Sequence, residues 1–562
     1  MIETTKINKR VVFCLVVLLL VQILLMFYFA SQKAGFFVDE TCTYQSANYG
    51  DAPEGTNGLM WYNTMEQWLP GSFFTEALTA NGDKCFDFSI AYHNQENDAH
   101  APFYDMLIHF TSSLFPGILS KWIGVAPNLL FNFITTIILF FMASNLYKDN
   151  KIALITAAFW SLSVGCMAST IFIRMYALMT LECVLFVWFH FRFFDRLVDK
   201  VGLREYVPLF ICTILGTLTQ YYFLIFAFFL CGFFTLYLLS KNKMLALKYA
   251  LCEFMAVFSA GLLFPRMWFQ LVGGERGGEA VANLAGSELF IEHLKTVCGI
   301  ISANLFGKKL ILIILAFIVF TLLIMFLHKN IMHWSLKKEQ NGLVLQSNIY
   351  LNKEMELLLK PKSILYWMIV FTVLMYLLLV VKLAPYQTDR YYMCLYPFII
   401  LLVVGFLFKA LHYIVNNKKR TYKIVVALCL MLCVVSYLIQ PVDYVYAESA
   451  KRVEAVSSYY DYPVILINGL GFDAATDVFV FEYQHNKAVY RCRWGDYSGL
   501  TNAASTYDLS GGFVLYAYWQ RENGLFDEDI FARINEYLPI AEYELISDVG
   551  CPVFFCIPAN NI

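Results

Sequence analysis

An acidic pair near the start of the chain is the feature of this sequence that most suggests chemistry. Asp39 and Glu40 lie just beyond an uncharged apolar run at 11–30. A carboxylate at a membrane edge can act as a general base toward a hydroxyl group. Arg174 and Arg390 also lie near the ends of apolar runs, and a guanidinium pairs bidentately with phosphate oxygens. These residue types indicate an enzyme that handles a lipid phosphate at a membrane face.

The elements that must position these groups are apolar runs of membrane-spanning length. Of 562 residues, 59% are hydrophobic and only 15% are charged, which departs from the soluble average. A helix of about 20 apolar residues crosses a bilayer, and the run 206–240 is too long for one crossing, so we expect a hairpin near Gln220. The sequence predicts eleven spans, at 11–30, 125–146, 152–170, 176–194, 206–220, 222–239, 244–263, 310–327, 364–381, 391–408 and 424–439.

Charge in the short loops predicts the orientation of these spans. Lys and Arg gather in every second loop, as they do on the cytoplasmic side of membrane proteins. Eleven crossings then place the N-terminus in the cytoplasm and everything after residue 439 outside. The segments 60–78 and 103–115 are expected to lie along the outer membrane surface, the second as an interfacial helix. The sequence contains no Asn-x-Ser/Thr acceptor, which favours a bacterial plasma membrane.

The tail has a different composition from the rest of the chain. Charges and turns alternate there with short β-rich runs at 464–467, 513–518 and 553–557, which is typical of a small α/β domain. The sequence therefore predicts a membrane domain at 1–440 and an extracytoplasmic α/β domain at 441–562. Five cysteines fall outside the membrane and could pair there: Cys42, Cys85, Cys492, Cys551 and Cys556. A formal net charge of -2 offers no argument for a nucleic-acid partner.

Four motifs near the outer ends of the spans resemble one enzyme family. The chain is similar to the protein O-mannosyltransferase and aminoarabinose-transferase branch (glycosyltransferase family 39-like) of the GT-C glycosyltransferases. The motifs are, in order, Asp39-Glu40, Asp98-Ala99-His100-Ala101-Pro102-Phe103-Tyr104, Arg174-Met175-Tyr176-Ala177-Leu178 and Asp389-Arg390-Tyr391-Tyr392. The resemblance implies a GT-C fold, an all-α polytopic membrane domain with juxtamembrane helices. It also implies that a sugar on polyprenyl phosphate passes, with inversion, to an extracytoplasmic acceptor such as a protein, glycolipid or wall polymer.

The resemblance also implies roles for individual residues. Asp39 would be the catalytic base and Glu40 its partner. The remaining motif residues would bind the substrate or its phosphate: Asp98, His100, Tyr104, Arg174, Tyr176, Arg390 and Tyr391. In this sequence Ala101 replaces a proline of the family motif, and Phe172 stands where many relatives have an acid. The loss of that acid gives no support to a bound divalent metal, so we expect no metal or other cofactor.

Other interpretations compete with this one. Taken singly, an acidic pair at a helix start more often caps the helix, and an arginine at a span end more often reaches for lipid headgroups. A transporter or flippase of a lipid-linked sugar precursor would also place charges near span ends, although such proteins often contain repeated halves. A non-catalytic relative that uses its tail for binding is a third alternative.

The glycines at 273–278 indicate a mobile lid.

Overall fold

A computed structural model describes residues 8–197, 201–285, 289–309, 332–339, 342–349, 361–468, 473–493, 495–518 and 529–559. The chain divides into two compact units. The first, here called the helical unit, comprises Met1–Ile23, Phe131–Ser169 and Tyr176–Pro441. The second, here called the mixed unit, comprises Leu24–Leu130, Thr170–Met175 and Val442–Ile562.

Long apolar helices dominate the helical unit, and the protein is a multi-pass membrane protein. Within the described residues, eight helices are long and apolar enough to cross a membrane: Lys9–Gln32, Trp122–Tyr147, Tyr176–Asp195, Tyr222–Leu239, Lys243–Leu263, Ile364–Leu383, Met393–His412 and Lys418–Ile439. The helices Asn150–Ser161 and Val164–Ile171 together form a ninth candidate that is bent by 52°. Nine of the eleven predicted spans are thus accounted for.

The two other predicted spans have different outcomes. The stretch 206–220 lies in the helix Leu203–Thr219, which has 17 residues. This helix ends at Thr219, with Gln220 as its C-cap, and the next begins at Tyr222, which confirms the predicted break near Gln220. The predicted span 310–327 lies outside the described residues. The glycine-rich loop that suggested a lid lies between the helices Met267–Val272 and Phe290–Phe306, where a third helix, Glu275–Ala285, includes Gly277 and Gly278.

Within the described ranges of the chain, eight strands form two sheets. They are β1 Trp68–Leu69, β2 Met332–Glu339, β3 Gly342–Ile349, β4 Val464–Asn468, β5 Val489–Arg491, β6 Phe513–Tyr518, β7 Ile540–Ser547 and β8 Val553–Pro558. β2 and β3 form an antiparallel pair. The other six form a sheet in the order β1-β5-β4-β6-β8-β7, in which β4 runs parallel to β5 and β6 while the other pairs are antiparallel. The three β-rich runs predicted in the tail are confirmed as β4, β6 and β8.

The sheet of the tail includes a strand from far earlier in the chain. Trp68 in β1 pairs with Tyr490 in β5, and its indole Nε1 donates to the carbonyl of Ala503 at 3.1 Å. Phe74 is fully buried, with its ring 5.0 Å from that of Tyr483. Phe74 therefore lies in the interior of the mixed unit, and Trp68 is partly buried against its core. The position of the segment 60–78 at the outer membrane surface stays a prediction.

Short helices complete the mixed unit. They are Val38–Asn48, Trp61–Thr64, Gly71–Leu78, Ser89–Glu96, Phe103–Leu114, Ser449–Ser457, Val480–Tyr483, Gly499–Thr506 and Asp529–Tyr537. The helix predicted at 103–115 is present as Phe103–Leu114. All five cysteines proposed for disulfides, which lie in the part of the chain that the structure describes, have free thiols.

Candidate active site

The helix Val38–Asn48 carries the acidic pair in its first turn. The backbone N–H groups at the start of a helix lack partners within it, and acids are stabilised there. The carboxylate of Glu40 accepts a hydrogen bond from the backbone N–H of Phe37 at 2.7 Å, which fixes this end of the helix. Asp39 precedes it and is half-buried. The two neighbours therefore differ in access, since Glu40 is fully buried.

Glu40 is held by three donors. Lys33 Nζ lies 2.9 Å from Glu40 Oε2, and both side chains are fully buried. Glu40 Oε1 accepts from the backbone N–H of Ile173 at 2.8 Å. Burial raises the pKa of Glu40 and lowers that of Lys33, while the attraction between the two charges opposes both shifts. Two backbone donors and an ammonium group favour the carboxylate form, so the residues form a buried ion pair.

The turn at 170–175 brings the arginine of the third motif to the acidic pair. Arg174 Nη1 donates to Thr43 Oγ1 at 2.8 Å and approaches the backbone carbonyl of Asp39 at 3.4 Å. Its side chain is buried, with 6% of the residue exposed. The first and third motifs, 135 residues apart in sequence, therefore meet at the first turn of one helix.

The second motif contributes one accessible pair of residues. His100 Nδ1 lies 4.0 Å from Asp98 Oδ1, and each side chain is 26% exposed. Asp98 Oδ1 also accepts from the backbone N–H of Ala99 at 2.7 Å. Both side chains are thus accessible enough to contact a ligand, and they also lie close to each other.

Tyr104, the last residue of the second motif, lies in the interior instead. It is 1% exposed, and its hydroxyl donates to Asn128 Oδ1 at 3.2 Å. Asn128 Nδ2 in turn donates to the carbonyl of Phe172 at 2.6 Å. Tyr104 therefore supports the turn that carries Arg174. Asn128 was not predicted, because a single asparagine near the start of an apolar run gives no specific signal.

A second acid lies close to this motif. Asp105 is 2% exposed and accepts a hydrogen bond from Gln95 Nε2. Burial raises the pKa of Asp105 to about 7, an effect that the nearby Arg174 guanidinium opposes. An acid within the otherwise apolar segment 103–115 was the sequence signal for this residue.

The tail also reaches the helix that carries the acidic pair. Gln45 Nε2 donates to Asp477 Oδ2 at 2.5 Å, and Asp477 forms a fully buried ion pair with Arg491 at 2.6 Å. Gln45 Oε1 accepts from the backbone N–H of Met60. The mixed unit therefore surrounds the helix with polar contacts that no sequence motif predicted.

The other predicted residues belong to the helical unit. Arg390 is 7% exposed, and its Nη2 donates to the hydroxyl of Tyr386 at 2.9 Å. The rings of Tyr391 and Tyr222 lie 5.0 Å apart. Tyr176, the first residue of the helix Tyr176–Asp195, is buried. Arg390 of the helical unit is thus surrounded by the tyrosines Tyr386 and Tyr391.

Phe172 places an apolar ring where the sequence resemblance led us to consider an acid. The ring of Phe172 stacks on that of Tyr444, with 3.9 Å between centroids and 16° between planes. Among the described residues, no three His, Cys, Asp or Glu side chains are grouped as a metal site would need. Independence from metal stays a prediction.

Comparison with solved structures identifies the fold. ArnT from Cupriavidus metallidurans in the apo state matches with a TM-score of 0.52 at 10% identity, over 96% of this chain and 97% of that one. ArnT bound to undecaprenyl phosphate gives 0.47 at 10% identity, over 96% and 97% of the two chains. The archaeal oligosaccharyltransferase AglB from Archaeoglobus fulgidus, in complex with an inhibitory peptide and a dolichol-phosphate, gives 0.45 at 12% identity, over 85% and 64%.

The chain therefore has the GT-C fold, as its sequence predicted. It is a helical membrane protein with a small α/β domain, and the likeness to the first ArnT structure extends over nearly the full length of both chains. No protein-family model matches the sequence, and no curated protein does.

Proposed function

We propose that this protein is a glycosyltransferase that moves a sugar from a polyprenyl-phosphate donor to an acceptor outside the cytoplasm. The observation that carries the proposal is the contact of the Arg174 guanidinium with the backbone carbonyl of Asp39 and with Thr43 Oγ1, within the first two turns of the helix Val38–Asn48. A carboxylate and a guanidinium are the two groups that such a transfer requires. The GT-C fold supports the proposal: this chain is similar in fold to ArnT in its apo state, and ArnT has also been solved with undecaprenyl phosphate.

Asp39 is the general base of this reaction. Its carboxylate takes the proton of an acceptor hydroxyl as the hydroxyl oxygen attacks the anomeric carbon of the sugar. The bond between that carbon and the phosphate oxygen breaks at the same time, and polyprenyl phosphate leaves with the electron pair. A single displacement inverts the anomeric centre. The half-buried position of Asp39 is compatible with contact to an acceptor, which the burial of Glu40 excludes.

The arginines bind the phosphate. A guanidinium stays charged at every physiological pH and matches phosphate oxygens geometrically, so Arg174 or Arg390 can stabilise the charge that develops on the leaving group. His100 and Asp98 are accessible enough to bind the sugar or the phosphate. Tyr176 and Tyr391 complete the set of proposed substrate contacts.

The orientation in the membrane is part of the proposal. The alternation of basic loops puts the N-terminus in the cytoplasm, and with it the 441–562 domain outside. In this orientation the motif residues lie on the outer side of a plasma membrane, where we expect the acceptor.

The proposal is tested by reconstituting purified protein in lipid with a panel of polyprenyl-phosphate sugars and following transfer of radiolabel. Sugar transfer that depends on Asp39 would support it. Movement of the intact lipid-linked sugar across the bilayer, without transfer, would favour the transporter instead.

A further inference from the structure

Glu40 makes contacts that suit a positioning residue better than a reacting one. Its two carboxylate oxygens receive hydrogen bonds from Lys33 Nζ, the Phe37 N–H and the Ile173 N–H. The side chain is fully buried. A reacting carboxylate needs an oxygen that faces the substrate, and here both oxygens face the interior of the mixed unit.

Lys33 extends this contact to a third segment of the chain. Its ammonium group donates to the carbonyl of Tyr444 at 2.6 Å, and it lies 4.9 Å from the ring centre of Phe36 and 5.7 Å from that of Tyr446. The next residue, Ala34, donates its N–H to the carbonyl of Val445 at 3.1 Å. The start of the tail, at 444–446, is therefore hydrogen-bonded to the segment that leads into the helix Val38–Asn48.

The backbone at this entry adopts an unusual conformation. Tyr444 and Tyr446 both have positive φ angles, of 67° and 49°, which cost free energy for residues other than glycine. Such a conformation persists only where surrounding contacts hold it. The Lys33 donor and the stack of Tyr444 on Phe172 are two such contacts.

We propose that the buried pair of Lys33 and Glu40 is a clamp that positions Asp39 and Arg174. The clamp joins three segments: 33–40, 172–174 and 444–446. Glu40 holds the Ile173 N–H while Lys33 holds the Tyr444 carbonyl, and Phe172 and Tyr444 close the contact by stacking. Glu40 is then a positioning residue that acts through its neighbours, and Lys33 is part of the same device. Only the kinetic test of the clamp rests on the function proposed above, and the exchange test does not.

Backbone hydrogen exchange tests the clamp without any substrate. In Lys33→Met the charge of Glu40 loses its cation, and removal of one partner of a buried pair is strongly destabilising. We expect the peptide that contains Ile173 and the one that contains Val445 to exchange at least tenfold faster in Lys33→Met and in Glu40→Gln. Arg452→Met is the matched control, because it breaks another buried ion pair of the same unit, with Glu482. It should leave both peptides unchanged.

The double variant tests whether the two residues act together. Residues that share one contact give non-additive effects, so Lys33→Met/Glu40→Gln should raise exchange no more than the larger single change does. Unchanged exchange in either single variant, or additive acceleration in the double variant, would overturn the clamp.

Transfer kinetics distinguish positioning from catalysis. Misplacement of reacting groups by about 1 Å costs about a hundredfold in rate, so Lys33→Met should lower kcat by about that factor, together with Glu40→Gln. Loss of transfer in Glu40→Gln with normal exchange at Ile173 would overturn the positioning role and make Glu40 a reacting group. If the protein transfers no sugar at all, the proposed function fails while the exchange results still decide the clamp.

Discussion

The replacement Asp105→Asn should give the protein a stability advantage over the original protein, and this advantage should grow as the pH rises. The carboxyl group of Asp105 has a folded-state pKa of about 7 because it is buried, whereas an aspartate in the unfolded chain titrates near 3.8. Between these two values the unfolded chain releases the proton and the folded protein keeps it, so the free energy of unfolding falls as the pH rises. Asparagine does not titrate, and it can still accept the hydrogen bond from Gln95.

The magnitude follows from the two pKa values. Each pH unit between them corresponds to 1.36 kcal/mol, so the cost in the original protein reaches about 4 kcal/mol above pH 7 and vanishes below about pH 4. Thermal unfolding of both proteins in lipid nanodiscs, followed by tryptophan fluorescence from pH 4.5 to 8.5, measures the difference between them. We expect the advantage of Asp105→Asn to grow by several degrees up to pH 7 and then to stay constant.

Asp461→Asn is the control for this experiment, because the Asp461 side chain is 89% exposed. Its difference from the original protein at each pH serves as the baseline of the assay. A difference for Asp105→Asn that follows this baseline at every pH would refute the reasoning, because it would mean that the burial of Asp105 does not perturb its titration.

Three further predictions concern the site and the unit that contains it. Arg174→Lys should lower kcat/KM for sugar transfer about 10- to 100-fold, because the loss of a charge-assisted hydrogen bond costs about 1.5–3 kcal/mol. Phe74→Ala should lower the free energy of unfolding by about 3–5 kcal/mol, as for other buried phenylalanines, whereas Phe115→Ala, at a side chain 54% exposed, should change it little in the same melting assay. Treatment with EDTA should leave the transfer rate unchanged, since Phe172 offers no metal ligand at the position where the sequence resemblance led us to consider an acid; a loss that Mg²⁺ or Mn²⁺ restores would contradict this.

Helices and tail strands were predictable because their signals are local. An uncharged run such as 11–30 has few alternatives to a membrane helix, and the excess length of 206–240 required the break found at Gln220. The apolar runs of β4, β6 and β8 likewise lie between turn residues. In each case the residues that determine the helix or strand lie within about twenty consecutive positions.

Contacts between distant segments could not be predicted in the same way. Trp68 and Phe74 are aromatic in a sequence of mixed polarity, and this pattern fits a membrane surface as well as the contacts with the mixed unit's core that they make. Lys33 is one cation among many near a span end, and nothing local indicates that its partners are Glu40 and the carbonyl of Tyr444.

The candidate site was predictable only in part for the same reason. The motifs identified Asp39 and Arg174, which the structure brings together. They did not distinguish the half-buried His100 from the fully buried Tyr104, because a motif records which residues occur and not which of them face a ligand. Asn128, Asp105 and Asp477 have no motif and acquire their partners only through folding.

The most direct test of the proposed function is the transfer of radiolabelled sugar from polyprenyl phosphate by purified protein in lipid, with the original protein beside Asp39→Asn. Asparagine keeps the size of the side chain but cannot take a proton from the acceptor hydroxyl. We predict transfer by the original protein and a loss of at least a hundredfold in the variant, since general base catalysis contributes about 10²–10⁴-fold. Equal turnover by both proteins would contradict the role of Asp39 as the base.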